Sequence, residues 1–418
     1  MKTIRLVNRF SLSIYFVPNF FWLSVWLMLI SISPAKIASG VDAIATNTRT
    51  VRIEGELSLL EKQDKSEIPK VVFRGSDARH QCLVTGTDSQ GLEVDLTRNA
   101  SYSFEPVGIA SIDSFGQITP LKNGLTTLTV NVDGVGKAGL SIEVTNWDDN
   151  PDVSFPNQVI PIFTKLGCNS GGCHGKAAGQ NGFKLSLLGF EPSEDFEHLV
   201  KESRGRRLST AMPDSSLLLT KSINAVPHGG GQRLEFDSQE YRVLRRWISQ
   251  GMKPGKSGDR RVVALTVTPE FRRMLPKQEQ QISVTAHYSD ETVEDVTPAV
   301  QFESNDTDMA DVDKRGLVSM KSLAGEVAVM ARFQGQVAVF RSSVPIVEGT
   351  NEWPEPTNVI DGAVIAQLRS LNIPMSRLCE ESTFLRRATL DLAGRLPTLA
   401  EVEQYSRDSL ANKRERLI

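Results

Sequence analysis

The chain has 418 residues, 40% of them hydrophobic and 23% charged, with a formal net charge of −3 at pH 7. That length exceeds one ordinary core and predicts two to four domains in a folded protein. The near-neutral balance excludes nucleic acid as the main partner, because phosphate binding needs a strong positive excess.

At the N-terminus Lys2, Arg5 and Arg9 precede an apolar run, strongest in FFWLSVWLMLI (Phe20–Ile30), and small residues follow in SISPAKIASG. This order is that of a secretory signal peptide over 1–39, with cleavage near Ala35 or later around Ala45. The run is shorter than the roughly 20 residues of a spanning helix. An uncleaved anchor is the alternative, since Tyr15–Val17 extend the segment past Asn19. The expected location is the periplasm or the cell surface, with membrane contact only if the segment is retained. Export puts Cys82, Cys168, Cys173 and Cys379 in an oxidising compartment. Four are too few for a disulfide scaffold, and Cys82 and Cys379 read as buried small hydrophobes.

Residues 50–146 read as β: stretches such as TTLTVNV and SIEV are separated by Gly, Asn and Asp turn signals. The texture returns over 260–348, in ALTVTP, QISVTAHY and EVAVMARF. The two segments align, Phe104 with Phe302, Ala110 with Ala310, Asp113 with Asp313 and Gly116 with Gly316. Each copy carries an alternation, a glycine turn and a second alternation, as a hairpin requires. IASIDSFGQI and MADVDKRGLV resemble the bacterial Ig-like group 2 family. That resemblance implies β-sandwich modules serving as extracytoplasmic spacers, with envelope or cell-surface contacts.

Between the repeats, 154–254 changes period. Ile162, Phe163 and Leu166 fall at helical spacing, and so do Tyr241, Leu244, Trp247 and Ile248, between Ser238 as N-cap and Gly251 as stop. After the linker EWPEPTN the chain turns helical again over 356–418, with a capping box from Thr398 to Glu401. The pattern runs to NKRERLI within a further helical stretch, which predicts part of a larger design or a partner.

The stretch LGCNSGGCHGKAAGQNGF carries the candidate chemistry. A c-type haem is attached through two cysteines, with histidine directly after the second. Cys168 and Cys173 stand four residues apart instead of two, and His174 keeps its place. Gly171 and Gly172 tolerate the positive φ that would absorb the extra length. The distal ligand is sought in VPHGGG as His228, with Met212 as the other choice. Two alternatives stay open: a Cys168–Cys173 disulfide, and a zinc site of Cys168, Cys173, His174 and His228.

CHGK, MPDSSLLLTK, VPHGGGQRLEF and VLRRWISQGM, in that order, resemble the planctomycete-type cytochrome c-like domain. The resemblance implies one covalent haem c held by Cys168, Cys173 and His174. It favours His228 as distal ligand, because Val226-Pro227-His228 stand where that family carries its methionine loop. FLRRATLDLAGRLPTLAEVEQY in turn resembles the start of a helical domain of unknown function that accompanies such modules.

The sequence thus predicts a multidomain protein: two all-β Ig-like sandwiches flanking a small all-α cytochrome c-like domain, with a C-terminal α-helical segment. The expected function is haem-mediated electron transfer at the cell envelope with an unidentified redox partner protein, since no nucleophile motif marks a catalyst. The alternative is a structural or adhesion-type surface protein whose Cys168–Cys173 pair is a disulfide.

Overall fold

The computed structural model describes residues 48–55, 68–88, 91–255, 258–346 and 351–418. The expected signal segment, 1–39, lies outside the described residues.

The first β region contains β1 (Thr48–Glu54), β2 (Lys70–Arg74), β3 (His80–Gln81), β4 (Leu83–Asp88), β5 (Glu93–Asp95), β6 (Ser101–Glu105), β7 (Ala110–Ile112), β8 (Gln117–Pro120), β9 (Gly124–Val132) and β10 (Gly136–Thr145). They form sheets ordered β1-β4-β5, β2-β10-β9-β6 and β3-β8-β7. The β2–β10 pair is parallel, whereas β9–β10 is an antiparallel hairpin. Period-two alternation decides the faces. Leu128, Val130 and Val132 of β9 point inward with Leu140, Ile142 and Val144 of β10, and Phe73 and Val84 close over them. Each such side chain, fully buried, contributes about 1.5–3 kcal/mol.

The second β region repeats this arrangement. Its strands are β11 (Val262–Thr268), β12 (Phe271–Arg273), β13 (Glu279–Gln281), β14 (Ser283–Tyr288), β15 (Val293–Asp295), β16 (Gln301–Ser304), β17 (Ala310–Val312), β18 (Leu317–Met320), β19 (Gly325–Phe333) and β20 (Gln336–Val344). The sheet orders are β11-β14-β15, β12-β20-β19-β16 and β13-β18-β17, and β12 again runs parallel to β20. Val327, Val329, Ala331 and Phe333 of β19 fill its core with Phe340 of β20.

Between them lie α1 (Ile160–Lys165), α2 (Pro192–Phe196), α3 (Leu217–Ser222) and α4 (Gln239–Ser249). Ser238 Oγ accepts from Tyr241 N at 3.2 Å and starts α4, and Gly251 beyond its end has φ +87°. Trp247 of α4 is fully buried, with its ring centroid 5.2 Å from Phe155 and 6.5 Å from Phe196. Val159, Phe163, Leu199, Leu219 and Leu244 complete that core.

The cytochrome c-like part of the expectation is not shown: the segment is helical, with a helical turn at Phe155–Val159 leading into α1 and another at Glu197–Lys201 continuing α2, and its core is built of its own aromatic and aliphatic side chains.

The C-terminal segment has α5 (Val359–Ser370), α6 (Glu381–Ala393), α7 (Leu399–Arg407) and α8 (Lys413–Leu417). Thr398 and Glu401 form the expected capping box on α7. The segment is tied to its surroundings by Ile346 N donating to Leu371 O and Trp353 Nε1 donating to Ile373 O, each at 2.9 Å. Among the described residues no helix is long and apolar enough to cross a membrane.

Candidate functional site

The Cys168–His174 loop continues α1 as a series of tight turns. Cys168 N donates to Phe163 O at 2.8 Å, Cys173 N to Ser170 O at 3.0 Å, and His174 N back to Cys168 O at 3.0 Å. Gly175 follows because nothing larger fits: a Cβ there would lie 2.0 Å from Asn169 O. The expected bulge at Gly171 and Gly172 does not form. Neither glycine has positive φ, and the left-handed residue is Gly167, at +71°.

His174 and His228, fifty-four residues apart in sequence, face each other with ring planes 7° apart and centroids at 6.4 Å. That is beyond the contact distance of stacked rings. Each ring uses Nδ1 on its own surroundings, His174 with Phe183 O at 2.9 Å and His228 with Gly231 O at 2.8 Å. Burial pushes the His174 imidazole below its ordinary pKa, partly offset by its bond to Phe183. Arg233 approaches Cys173 Sγ at 4.0 Å. Cys168 packs against the segment's hydrophobic core, and burial with Cys173 nearby raises its thiol pKa to about 12. Both cysteines are free thiols, as are Cys82 and Cys379. Cys82 is buried as expected, whereas Cys379 is only half-buried. Met212 is 63% exposed. Arg207 is buried and donates to His198 O and Gly182 O, each at 2.7 Å.

The structure therefore brings His174, His228 and Cys173 into one neighbourhood. Among the described residues no group of three or more His, Cys, Asp and Glu side chains is placed to hold a metal ion. This removes the tetrahedral zinc alternative.

The more extensive constellation lies where the two sandwiches meet. Asp95, ending β5, accepts at Oδ1 from Thr97 N (2.9 Å) and Thr97 Oγ1 (2.5 Å) in its own sandwich. Its Oδ2 accepts from Gln281 N of the other sandwich at 2.8 Å. Asp295, ending β15, repeats the pattern with Thr297 N at 3.0 Å and Thr297 Oγ1 at 2.6 Å, and takes Gln81 N of the first sandwich at 2.6 Å. Each repeat thus gives the other an aspartate and receives a backbone N–H, the reciprocity of a two-fold interface within one chain. Hydrogen bonds to charged acceptors of this kind contribute about 1.5–3 kcal/mol each.

Charges flank the pair. Arg272 of β12, its side chain 7% exposed, reaches across to Glu54 and to Glu93, the latter at 2.6 Å. Arg98 meets Glu279 at 2.5 Å. His80 breaks the repeat, standing where the second repeat has Gln280. Its Nδ1 lies 3.4 Å from Asp295 Oδ2, and its Nε2 is buried with no partner. Burial lowers the His80 pKa against the pull of Asp295, and burial raises that of Asp95 against its hydrogen bonds.

The helical segment joins both sandwiches. Arg246 of α4 pairs with Asp77, and Gln239 Nε2 donates to Asp77 O at 3.3 Å. Lys165 of α1 pairs with Glu240 at 3.0 Å and donates to Pro298 O.

The sequence reading missed this interface although its signal was present. RHQCLVT matches EQQISVT, and EVDLT matches VEDVT, upstream of the hairpins on which the repeat was recognised.

Residues 359–418 match the family described as protein of unknown function DUF1549 (PSCyt2). No curated protein matches the chain. Among solved structures, the S-layer protein rSbsC(31-844) is similar at 8% identity and a TM-score of 0.19, covering 72% of this chain, which spans 29% of that protein. Domains 5-6 of the S-layer protein SbsC are similar at 11% identity and TM-score 0.26, covering 68% and 97% of the two chains. Invasin, a bacterial integrin-binding protein, is similar at 13% identity and TM-score 0.15, covering 63% and 56%.

Electron transfer through a covalent haem, the expected function, is accordingly corrected. Cys168 packs against the segment's own core, and among the described residues no group of three or more His, Cys, Asp and Glu side chains is placed to hold a metal ion. The redox partner expected with the haem goes with it.

Proposed function

We propose that this chain is a structural or adhesion-type surface protein, an exported spacer whose two sandwiches are held at a fixed angle around a helical module. The reciprocal Asp95–Gln281 and Asp295–Gln81 bonds carry this reading. Two tandem modules joined only by a linker are free to move by default. These spend buried carboxylates and a buried guanidinium on holding each other. Rigidity of that kind is what a load-bearing or surface-displaying segment requires, and the signal segment supports export.

Two measurements on cells competent for cytochrome maturation test the reading. Protease shaving of intact cells is expected to remove the protein, and the purified chain is expected to give no pyridine haemochrome band. A haemochrome band, or protection from shaving with the protein found in the cytoplasm, overturns it.

A further inference from the structure

Cys168 and Cys173 are separated by Asn169-Ser170-Gly171-Gly172, short residues on which the chain turns back on itself. Two backbone bonds fix the turn, His174 N to Cys168 O and Gly175 N to Ser170 O, each at 3.0 Å. The first links the carbonyl of one cysteine to the peptide that follows the other, which brings their Cα atoms to roughly 5–7 Å. A disulfide spans about 4.4–6.8 Å between Cα atoms. The two thiols are near enough to interact, because Cys173 is, after burial, the next cause of the raised Cys168 pKa.

Their surroundings differ. Cys168 packs against the core of the helical segment. Cys173 follows the exposed Gly171 and Gly172, and Arg233 Nη2 stands 4.0 Å from its Sγ. A cationic neighbour suits an anionic sulfur, the form in which a cysteine attacks a disulfide. Cys82 is enclosed in the core of the first sandwich and Cys379 lies in the C-terminal segment, both outside this turn.

We propose that Cys168 and Cys173 are an oxidation site, closed into a disulfide within the turn by a low-molecular-weight disulfide, with Cys173 reacting first and Cys168 second. The Cys173 sulfur gives up its proton and attacks one sulfur of the oxidant. The oxidant's S–S bond breaks, a mixed disulfide forms on Cys173, and the departing thiolate takes up a proton. Cys168 then loses its proton and attacks the Cys173 sulfur, which forms the Cys168–Cys173 bond and expels the second thiol. Two protein thiols become one disulfide and one oxidant disulfide becomes two thiols, so two electrons and two protons pass to the oxidant. The inference rests on the export part of the proposed function, because an oxidising compartment supplies the oxidant.

The purified whole chain, reduced and then exposed to oxidised glutathione, tests the chemistry wherever the protein resides in the cell. After alkylation of the remaining thiols and tryptic digestion, both cysteines fall on one peptide, Leu166–Lys176. That peptide is expected to escape alkylation and to be lighter than its reduced form by two hydrogens. A peptide that stays fully alkylated, or that keeps glutathione on Cys173 without release by Cys168, overturns the proposal. Cys168→Ser is expected to accumulate glutathione on Cys173, and Cys173→Ser to accumulate it on Cys168 at least about tenfold more slowly. Equal rates in the two folded variants, or the reverse order, overturn Cys173 as the first sulfur to react. The state in cells is read by trapping thiols with N-ethylmaleimide before lysis. A disulfide in exported protein is expected, and free thiols at both positions of exported protein overturn the proposal. Ready oxidation of the purified chain together with a cytoplasmic location overturns the export reading instead and supports the chemistry of the pair.

Discussion

At the scale of single residues, His80 is where the near-symmetry of the two sandwiches is broken, and its consequence is a pH dependence. Its folded-state pKa is lowered by burial. The unfolded chain therefore takes up a proton near pH 6.5 while the native protein stays neutral there. Stability from this group is fully present above that value and is lost as pH falls through the window beneath it, at no more than about 1.4 kcal/mol per pH unit for one proton. Asp95 works in the opposite sense, because a carboxyl with a raised folded pKa adds stability as pH falls through that pKa. The His80 contribution is isolated by difference: urea midpoints of wild type and His80→Gln are expected to diverge progressively as pH drops below about 6.5, with the wild type losing more. Parallel midpoints across that range would show that His80 is protonated in the native state. The same scale shows why the candidate site was only partly legible. Cys168, Cys173, His174 and His228 are chemically distinctive residue types, so the sequence singled them out. How they sit together depends on the surrounding core, in which Phe155, Trp247 and Leu199 are buried. Asp95 and Asp295 were not singled out, because only their bonds to the opposite sandwich reveal their use.

At the scale of elements, the strands were legible because alternation of apolar residues and glycine turns are local signals. The hairpins containing IASIDSFGQI and MADVDKRGLV formed where the pattern put them, as β7–β8 and β17–β18. Sheet orders and the parallel β2–β10 and β12–β20 pairs were not, since they depend on contacts distant in sequence. The two amphipathic helices of the middle segment also formed where their spacing put them, as α1 and α4. The glycine turn itself makes a quantitative test. Gly116 lies between β7 and β8 at φ +83°, and a Cβ there would sit 2.5 Å from Cys82 O. Gly134, in the β9–β10 hairpin at φ +74°, has nothing within 4 Å. Both alanine variants carry the left-handed backbone cost of about 1 kcal/mol, but only Gly116→Ala adds a collision with backbone that cannot rotate away. Gly116→Ala is therefore expected to lower stability by about 3 kcal/mol and Gly134→Ala by about 1 kcal/mol, read from denaturant midpoints. Equal losses would mean that the β3–β8 edge yields and that the turn is not fixed by Cys82.

At the scale of the whole molecule, the question is whether the two sandwiches and the helical segment behave as one body or as three. Their joints differ in chemistry: Arg246 with Asp77 on one side and Lys165 with Glu240 and Pro298 O on the other are ion pairs at the module surfaces. The joint between the sandwiches is buried, with Arg272 7% exposed and its Nε left without a partner. A buried cation engaged by Glu54 and Glu93 is costly to lose on either side, since removing it strands carboxylates that were desolvated to meet it, at about 3–5 kcal/mol. That sum is comparable with the stability of a whole domain, so the pair couples the unfolding of the two sandwiches. In the wild type, tryptophan fluorescence and the β signal of far-ultraviolet circular dichroism are expected to report coincident urea transitions. In Arg272→Ala the sandwiches are expected to unfold independently, which separates the two probes and lowers the first midpoint. Arg272→Met retains the packing of the aliphatic stem without the charge, and a smaller loss in that variant than in Arg272→Ala apportions the joint between packing and charge. If Arg272→Ala unfolds in a single coincident transition at the wild-type midpoint, Arg272 does not couple the sandwiches, and Asp95, Asp295 and the Arg98–Glu279 pair hold them without it.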